Sequence, residues 1–187
     1  MNGEWAYINS YFTPDECDFI ISQAEKIPTF KGVVGDTGTV DNQWRRSTIR
    51  PILKDTDWSY LFDKVDRAVS SANRDWFNIA YDFLPGIQFA SYDESNQGCY
   101  KRHQDVFLMS PTNTHRKLSF TVQLSDPNEY QGGDLKFLDV AIHPIEENMR
   151  SRGTICVFPS IIFHEVTPVT KGIRHSLAGW YEGPRWR

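Results

Sequence analysis

The sequence predicts an α+β protein, mostly β, in which two N-terminal helices pack against a β-sandwich or barrel. Two stretches with the helical apolar period come first, at about residues 14–26 and 57–77. Beyond Leu84 the period becomes extended and stays so. Turns rich in Gly, Pro and Asn cut that second half into short segments, the pattern of helices laid on a β-sandwich or closed sheet. At 187 residues the chain suffices for one domain with a substantial core and is short for two. A single domain over 1–187 is therefore expected, with helical support to about residue 83 and a β core over about 84–182.

The first helix opens at Thr13-Pro14-Asp15-Glu16. Thr13 caps the first free amide, Pro14 suits the first helical position, and Glu16 completes a capping box. Cys17, Ile20, Ile21 and Ala24 supply one apolar face, and Pro28 stops the helix after about Lys26. Residues 31–47 place Gly32, Gly35 and Gly38 among β-branched residues, as a hairpin or loop does. That stretch is either a plain surface loop or a cover over substrate. Residues 47–53 return as a strand. The second helix carries Trp58, Leu61, Phe62, Val65, Ala68, Val69, Ala72 and Trp76 on one stripe. Strands follow at about 87–92, 101–108, 116–124, 134–138, 154–158, 163–168 and 173–181. Within 116–124, Leu118, Phe120, Val122 and Leu124 share one face. Ser119, Thr121 and Gln123 share the other, a polar stripe that faces solvent or lines a site.

Bulk properties exclude several classes of function. The net charge of −4, the pI near 5.7 and the absence of a long Lys/Arg block disfavour a broad nucleic-acid surface. Cys17, Cys99 and Cys156 are odd in number and unpaired in spacing, which fits a reducing compartment rather than a disulfide framework. The N-terminal residues lack a basic region followed by an apolar one, and no apolar run is long enough to span a bilayer. A soluble, cytoplasmic protein without a membrane partner is expected.

Chemistry concentrates at His103-Gln104-Asp105. On an extended segment residues two apart share a face, so an imidazole and a carboxylate point the same way. Such a pair is common on protein surfaces and needs a third ligand to mean anything. His164, inside the apolar run 153–166, is either a satisfied core histidine or that ligand. Two His and one carboxylate leave about three positions open on an octahedral iron, as in non-haem Fe(II) oxygenases. Arg174, ten positions past His164, is able to anchor a dicarboxylate co-substrate. His115 and His143 read as surface residues, and His175 points away from Arg174's face. Arg45 and Arg46 beside Trp44 either grip an acidic or peptide substrate or serve solubility.

These residues fall in motifs in a fixed order. Tyr92, Gly98 and Tyr100 precede His103-x-Asp105. Then come Leu118-Ser119-x-Thr121-x-x-Leu124-Ser125-x-Pro127-x-x-Tyr130-x-Gly132-Gly133-Asp134-Leu135, and Phe158-Pro159-Ser160 before His164. Last is Val166-x-Pro168-Val169-x-x-Gly172-x-Arg174-x-Ser176-x-x-x-Trp180. Over roughly 87–180 the chain resembles the 2-oxoglutarate and Fe(II)-dependent dioxygenases of the prolyl 4-hydroxylase-like branch, the PKHD-type hydroxylases in particular. The resemblance implies a double-stranded β-helix (a jelly-roll, cupin-like core) covered by the two helices. It implies His103, Asp105 and His164 as iron ligands and Arg174 as partner of the co-substrate's distal carboxylate. Tyr92, Ser176 and Trp180 would complete the co-substrate wall with Gln123, which stands where relatives often place a tyrosine. Implied cofactors are Fe(II) and 2-oxoglutarate, with L-ascorbate as an accessory. The implied reaction couples O2 and decarboxylation of 2-oxoglutarate to succinate with hydroxylation of a peptidyl or small amino-acid substrate.

Two alternatives stand beside it: a non-catalytic cupin-like barrel that binds without turnover, and a nucleic-acid demethylase of the same iron class. The acidic balance weighs against the second.

Overall fold

The computed structural model describes residues 3–33, 39–55, 57–109 and 113–186. In chain order the first half holds β1 (Ala6–Ile8), α1 (Pro14–Ala24), β2 (Phe30–Lys31), β3 (Arg45–Arg46), β4 (Thr48–Ile52) and α2 (Ser59–Ala72). The second half holds β5 (Ile87–Asp93), β6 (Cys99–His103), β7 (Thr114–Gln123), β8 (Gln131–Gly132) and β9 (Leu135–Phe137). It continues with α3 (Glu146–Arg150), β10 (Ile155–Pro159), β11 (His164–Val166), β12 (Val169–Lys171) and β13 (Ile173–Pro184). The protein is mostly β with few helices, as the sequence predicts.

A seven-stranded sheet runs β1-β10-β7-β13-β5-β4-β2, and a four-stranded one β3-β6-β11-β9, with β12-β8 as a short pair. Every one of these pairings is antiparallel. Alternation along the central strands sorts the two faces of the large sheet. Ile87, Phe89, Leu118, Phe120, Val122, Leu177 and Tyr181 join one core cluster with Cys17, Ile20 and Ala24 of α1 and the apolar stripe of α2. Burying side chains such as Leu61, Phe62, Val65 and Val69 contributes roughly 1.5–3 kcal/mol each. The helices thereby hold the large sheet from behind and leave its other face to the site.

The capping box at α1 forms as predicted, with the Glu16 amide on Thr13 Oγ1 at 3.2 Å and the Thr13 amide on Glu16 Oε2 at 2.7 Å. Other details differ. After Ala72 the helix passes into a π turn over Asn73–Phe77, closed by the Asn78 amide on the Asn73 carbonyl at 2.7 Å. The wider turn shifts the phase of the stripe. Trp76 consequently stands 49% exposed, and Phe77 takes the buried position. The strand expected over 101–108 ends at His103; past it the Asp105 and Val106 amides both donate to the Ser160 carbonyl, and Gln104 Nε2 donates to the Ile161 carbonyl. His115 is buried rather than at the surface, its Nδ1 accepting from the Trp186 amide at 3.1 Å. Of the loop expected over 31–47, residues 34–38 lie outside the described residues, and its far end is β3. No helix among the described residues is long and apolar enough to cross a membrane.

Candidate metal centre

Pairing of β6 with β11 sets His164 directly opposite His103. Cross-strand neighbours on one face approach closely, and here the imidazole centroids lie 4.2 Å apart. Asp105 sits on the turn past β6 rather than on a strand. Two anchors fix it there: its amide donates to the Ser160 carbonyl at 3.0 Å, and its Oδ2 accepts from Ser119 Oγ at 2.7 Å. Ser160 Oγ lies 2.9 Å from Ser119 Oγ and extends the support. His103 Nε2 is 3.7 Å from Asp105 Oδ1, and His164 Nε2 is 3.5 Å from Oδ2. The three ligand atoms lie within 4.8 Å of one another.

The other ring nitrogens define the tautomers. His103 Nδ1 lies 2.7 Å from the Lys101 carbonyl and His164 Nδ1 3.0 Å from the Ile162 carbonyl. A carbonyl only accepts, so each Nδ1 carries the proton and each Nε2 turns a lone pair inward. Burial, reinforced by His164, pushes the His103 pKa down to about 3, so this imidazole is neutral near pH 7. Burial raises Asp105, but His164, His103, Arg116 and the Ser119 hydroxyl together outweigh it and hold the carboxyl below its usual range. Two imidazoles with Nδ1 tied to carbonyls, beside an ionised carboxylate, make a donor set suited to Fe(II).

Register also delivers Arg174. On β13 it pairs with Tyr92 of β5, and its guanidinium lies 5.5 Å from the Tyr92 ring centre. It is 4% exposed, donating from Nε to Gln123 Oε1 at 3.0 Å and from Nη1 to Ser176 Oγ at 3.3 Å. Gln123 is oriented in turn by donating to the Tyr130 hydroxyl at 3.0 Å. Among the described residues Arg174 has no carboxylate in ion-pair range, so a buried cation stands without a counter-ion. A buried charge of that kind favours an anionic ligand. One cavity holds His103, Asp105, His164, Arg174, Tyr92, Ser176 and Trp180 together. Gln123 reaches it through Arg174. The polar stripe of β7 therefore lines a site, since Ser119 supports Asp105 and Thr121 lines the cavity.

Sequence reasoning missed Arg116, gave Tyr100 a motif place without a role, and left Arg45 between a substrate grip and solubility. Tyr100 stacks on His103 at 3.5 Å, and burial pushes its hydroxyl up to about 12. Arg116 lies 4.0 Å over the Trp180 ring. Arg45 is 5% exposed and lines the cavity, whereas Arg46 beside it is half-buried on β3. Strand parity at Arg45-Arg46 was the available signal, since one of two consecutive residues must face inward.

Comparison with known proteins agrees with this geometry. A PKHD-type hydroxylase of Prochlorococcus marinus is 37% identical over 100 residues, 52% of this chain and 41% of its own. A PKHD-type hydroxylase of Xylella fastidiosa is 32% identical over 103 residues, 51% of this chain and 43% of its own. The chain thus spans about two-fifths of the length of these relatives. Among solved structures, a Trichoplax adhaerens prolyl hydroxylase in complex with a hypoxia-inducible-factor peptide matches with a TM-score of 0.75 at 19% identity, covering 96% of this chain and 83% of that one. A Pseudomonas putida prolyl-4-hydroxylase matches at 0.72 and 19% identity, covering 99% and 94%. These two likenesses show the fold. The 2OG-Fe(II) oxygenase superfamily model matches residues 87–182, which carry the His-Asp-His cluster and the buried arginine, and the chain belongs to that superfamily.

Proposed function

We propose that the protein is a 2-oxoglutarate- and Fe(II)-dependent dioxygenase of the prolyl 4-hydroxylase-like type, hydroxylating a peptidyl or amino-acid substrate. The observation that carries this is the sharing of one cavity by a His-Asp-His triad and a buried arginine that has no carboxylate in ion-pair range among the described residues. His103 Nε2, Asp105 and His164 Nε2 would hold the iron. Arg174 would take the distal carboxylate of 2-oxoglutarate in its planar fork, with Ser176 and Gln123 fixing that fork and Tyr92 and Trp180 as walls. Bound together, Fe(II) and 2-oxoglutarate supply the oxidation, in which O2 divides between succinate and the hydroxyl of the product as CO2 leaves.

The chain's own contribution is positioning and the exclusion of water. The Lys101 and Ile162 carbonyls hold both imidazoles in the metal-ready tautomer, and Ser119 with Ser160 holds the carboxylate. Leu135, Phe158, Val166 and Ala178 add apolar wall beside Tyr100, Thr121 and Arg45. A barrel that binds without turnover gives no use for that complete set. The same reading takes residues 1–187 as one oxygenase domain with a double-stranded β-helix core over about 84–182, covered by α1 and α2. A core cluster shared by both helices and the large sheet supports it. It also takes the protein as cytoplasmic, using L-ascorbate as an accessory reductant, O2 and 2-oxoglutarate as co-substrates, and no nucleic acid. The prolyl hydroxylase neighbour crystallised with a peptide supports the peptidyl class.

Anaerobic addition of Fe(II) and then 2-oxoglutarate tests the assignment. A visible charge-transfer absorption is expected in the wild type, absent in His103→Ala and shifted to higher 2-oxoglutarate concentration, roughly 10- to 100-fold, in Arg174→Gln. Absence of the band from iron-loaded wild type would remove the reading.

A further inference from the structure

Among the described residues that line the metal cavity, Asp105, Arg174 and Arg45 carry the charged side chains besides the histidines. The reading above gives Asp105 to iron and Arg174 to the co-substrate. Arg45 is left over.

Its surroundings are built for it. Nε donates to Ser47 Oγ at 2.8 Å, Nη1 to the Val33 carbonyl at 3.2 Å and Nη2 to Gln88 Oε1 at 3.5 Å. All three acceptors are neutral, and among the described residues no carboxylate forms an ion pair with Arg45. The guanidinium lies 4.6 Å from the centre of the Tyr100 ring, which itself stacks 3.5 Å from His103. The cation is thus one aromatic ring removed from a proposed iron ligand. Gly32 makes the room: a Cβ there would come 2.4 Å from Ser47 Oγ and 2.6 Å from Arg45 Nε. A buried guanidinium aligned by neutral hydrogen bonds, with its charge unanswered, is prepared for an oxyanion.

Charge accounting leads the same way. Iron would contribute +2 and 2-oxoglutarate −2, with +1 from Arg174 and −1 from Asp105, so these four sum to zero while Arg116 beside Asp105 adds a further positive charge. Arg45 leaves the loaded cavity more positive, and it stands opposite Tyr100 in the four-stranded sheet, whereas the co-substrate's arginine is on β13 of the seven-stranded one. We propose that the substrate carries a carboxylate a few bonds from the carbon that is oxidised, and that Arg45 holds it as a specificity-determining residue. This rests on the iron and 2-oxoglutarate reading above. The carboxylate is either the α-carboxylate of a free amino acid or an acidic side chain beside the reacting residue in a peptide.

Calorimetric titration of the full chain, loaded anaerobically with Fe(II) and 2-oxoglutarate, separates these with two probe pairs. One pair is L-proline and L-prolinamide; the other is Ala-Pro-Asp-Ala and Ala-Pro-Asn-Ala, blocked at both ends. The acid is expected to bind roughly 10- to 100-fold more tightly than its neutral partner in one pair, which names the source of the carboxylate. Arg45→Gln should bring that ratio to about one, whereas a merely structural role would weaken both members alike. Should Arg45→Gln not fold, Arg45→Lys, which keeps the charge without the fork, is expected to reduce the ratio and leave it above one. Acid and neutral probes binding alike in both pairs, or no probe binding, while the charge-transfer band forms, overturns the proposal alone. Loss of the band in wild type overturns the underlying reading as well.

Discussion

Ser119 shows how much of the centre depends on residues that support a ligand without being one. Its hydroxyl donates to Asp105 Oδ2 at 2.7 Å and lies 2.9 Å from Ser160 Oγ, so the carboxylate keeps one oriented oxygen before any metal arrives. Supports of this kind are worth about 10- to 100-fold in metal affinity. Ser119→Ala is expected to weaken Fe(II) binding by at least tenfold in an anaerobic titration without changing the fold. Titration of His103 gives a second expectation. Its folded pKa of about 3 lies below the ordinary 6.5, so the unfolded state binds the extra proton throughout that window. Stability of the metal-free protein is therefore complete above pH 6.5 and declines as pH falls toward 3. Between pH 6.5 and 5 this amounts to on the order of 2 kcal/mol. His115 and His175, also lowered by burial, act with the same sign, while Asp105 acts only below about pH 3.8. Thermal melts of metal-free wild type and His103→Gln check it: the variant should show a shallower fall from pH 6.5 to 5.

At the scale of elements, the site is a consequence of register. The β6–β11 pairing places His103 against His164, and β13 carries Arg174, Ser176, Ala178 and Trp180 on the face turned from the helices. Alternation made that face legible: two-residue periodicity alone set Arg174 with Ser176 and Trp180, and His175 with the opposite side, where it stacks on Phe89 at 5.2 Å. What alternation does not encode is which neighbour crosses from another strand. Nothing in the local sequence of Gln123 announces Arg174, and nothing around Arg45 announces Tyr100, because both contacts join distant segments. The turn at Gln104 was hidden for the same reason, its partner being Ile161. Gly133 is where a turn and the site meet. Its φ of +67° suits glycine, and a Cβ would come 2.8 Å from Val169 Cγ2 and 3.0 Å from Arg174 Cδ. Gly133→Ala should therefore raise the KM for 2-oxoglutarate, by roughly tenfold given a strain of 1–3 kcal/mol, while Fe(II) affinity stays at the wild-type value. Steady-state kinetics beside an iron titration distinguishes the two.

For the whole molecule, one core cluster joins residues of α1, α2 and the seven-stranded sheet, and what was readable from the order of apolar periods is a mostly β protein with few helices. The π turn after Ala72 was not, since an inserted residue alters phase without altering composition. The short strands β1, β8 and β12 escaped too, being set by their partners rather than by their own two or three residues. The central claim is that His103, Asp105, His164 and Arg174 act together as one iron and 2-oxoglutarate centre. Conversion of 2-oxoglutarate to succinate, with Fe(II) and ascorbate, in wild type and Asp105→Ala tests it most directly. The account predicts iron-dependent succinate in the wild type, increased by substrate, and at least about a 100-fold loss in the variant, about 2.7 kcal/mol of transition-state stabilisation. Equal rates in the two proteins, or no succinate from wild type that has bound iron and been given 2-oxoglutarate, would contradict it.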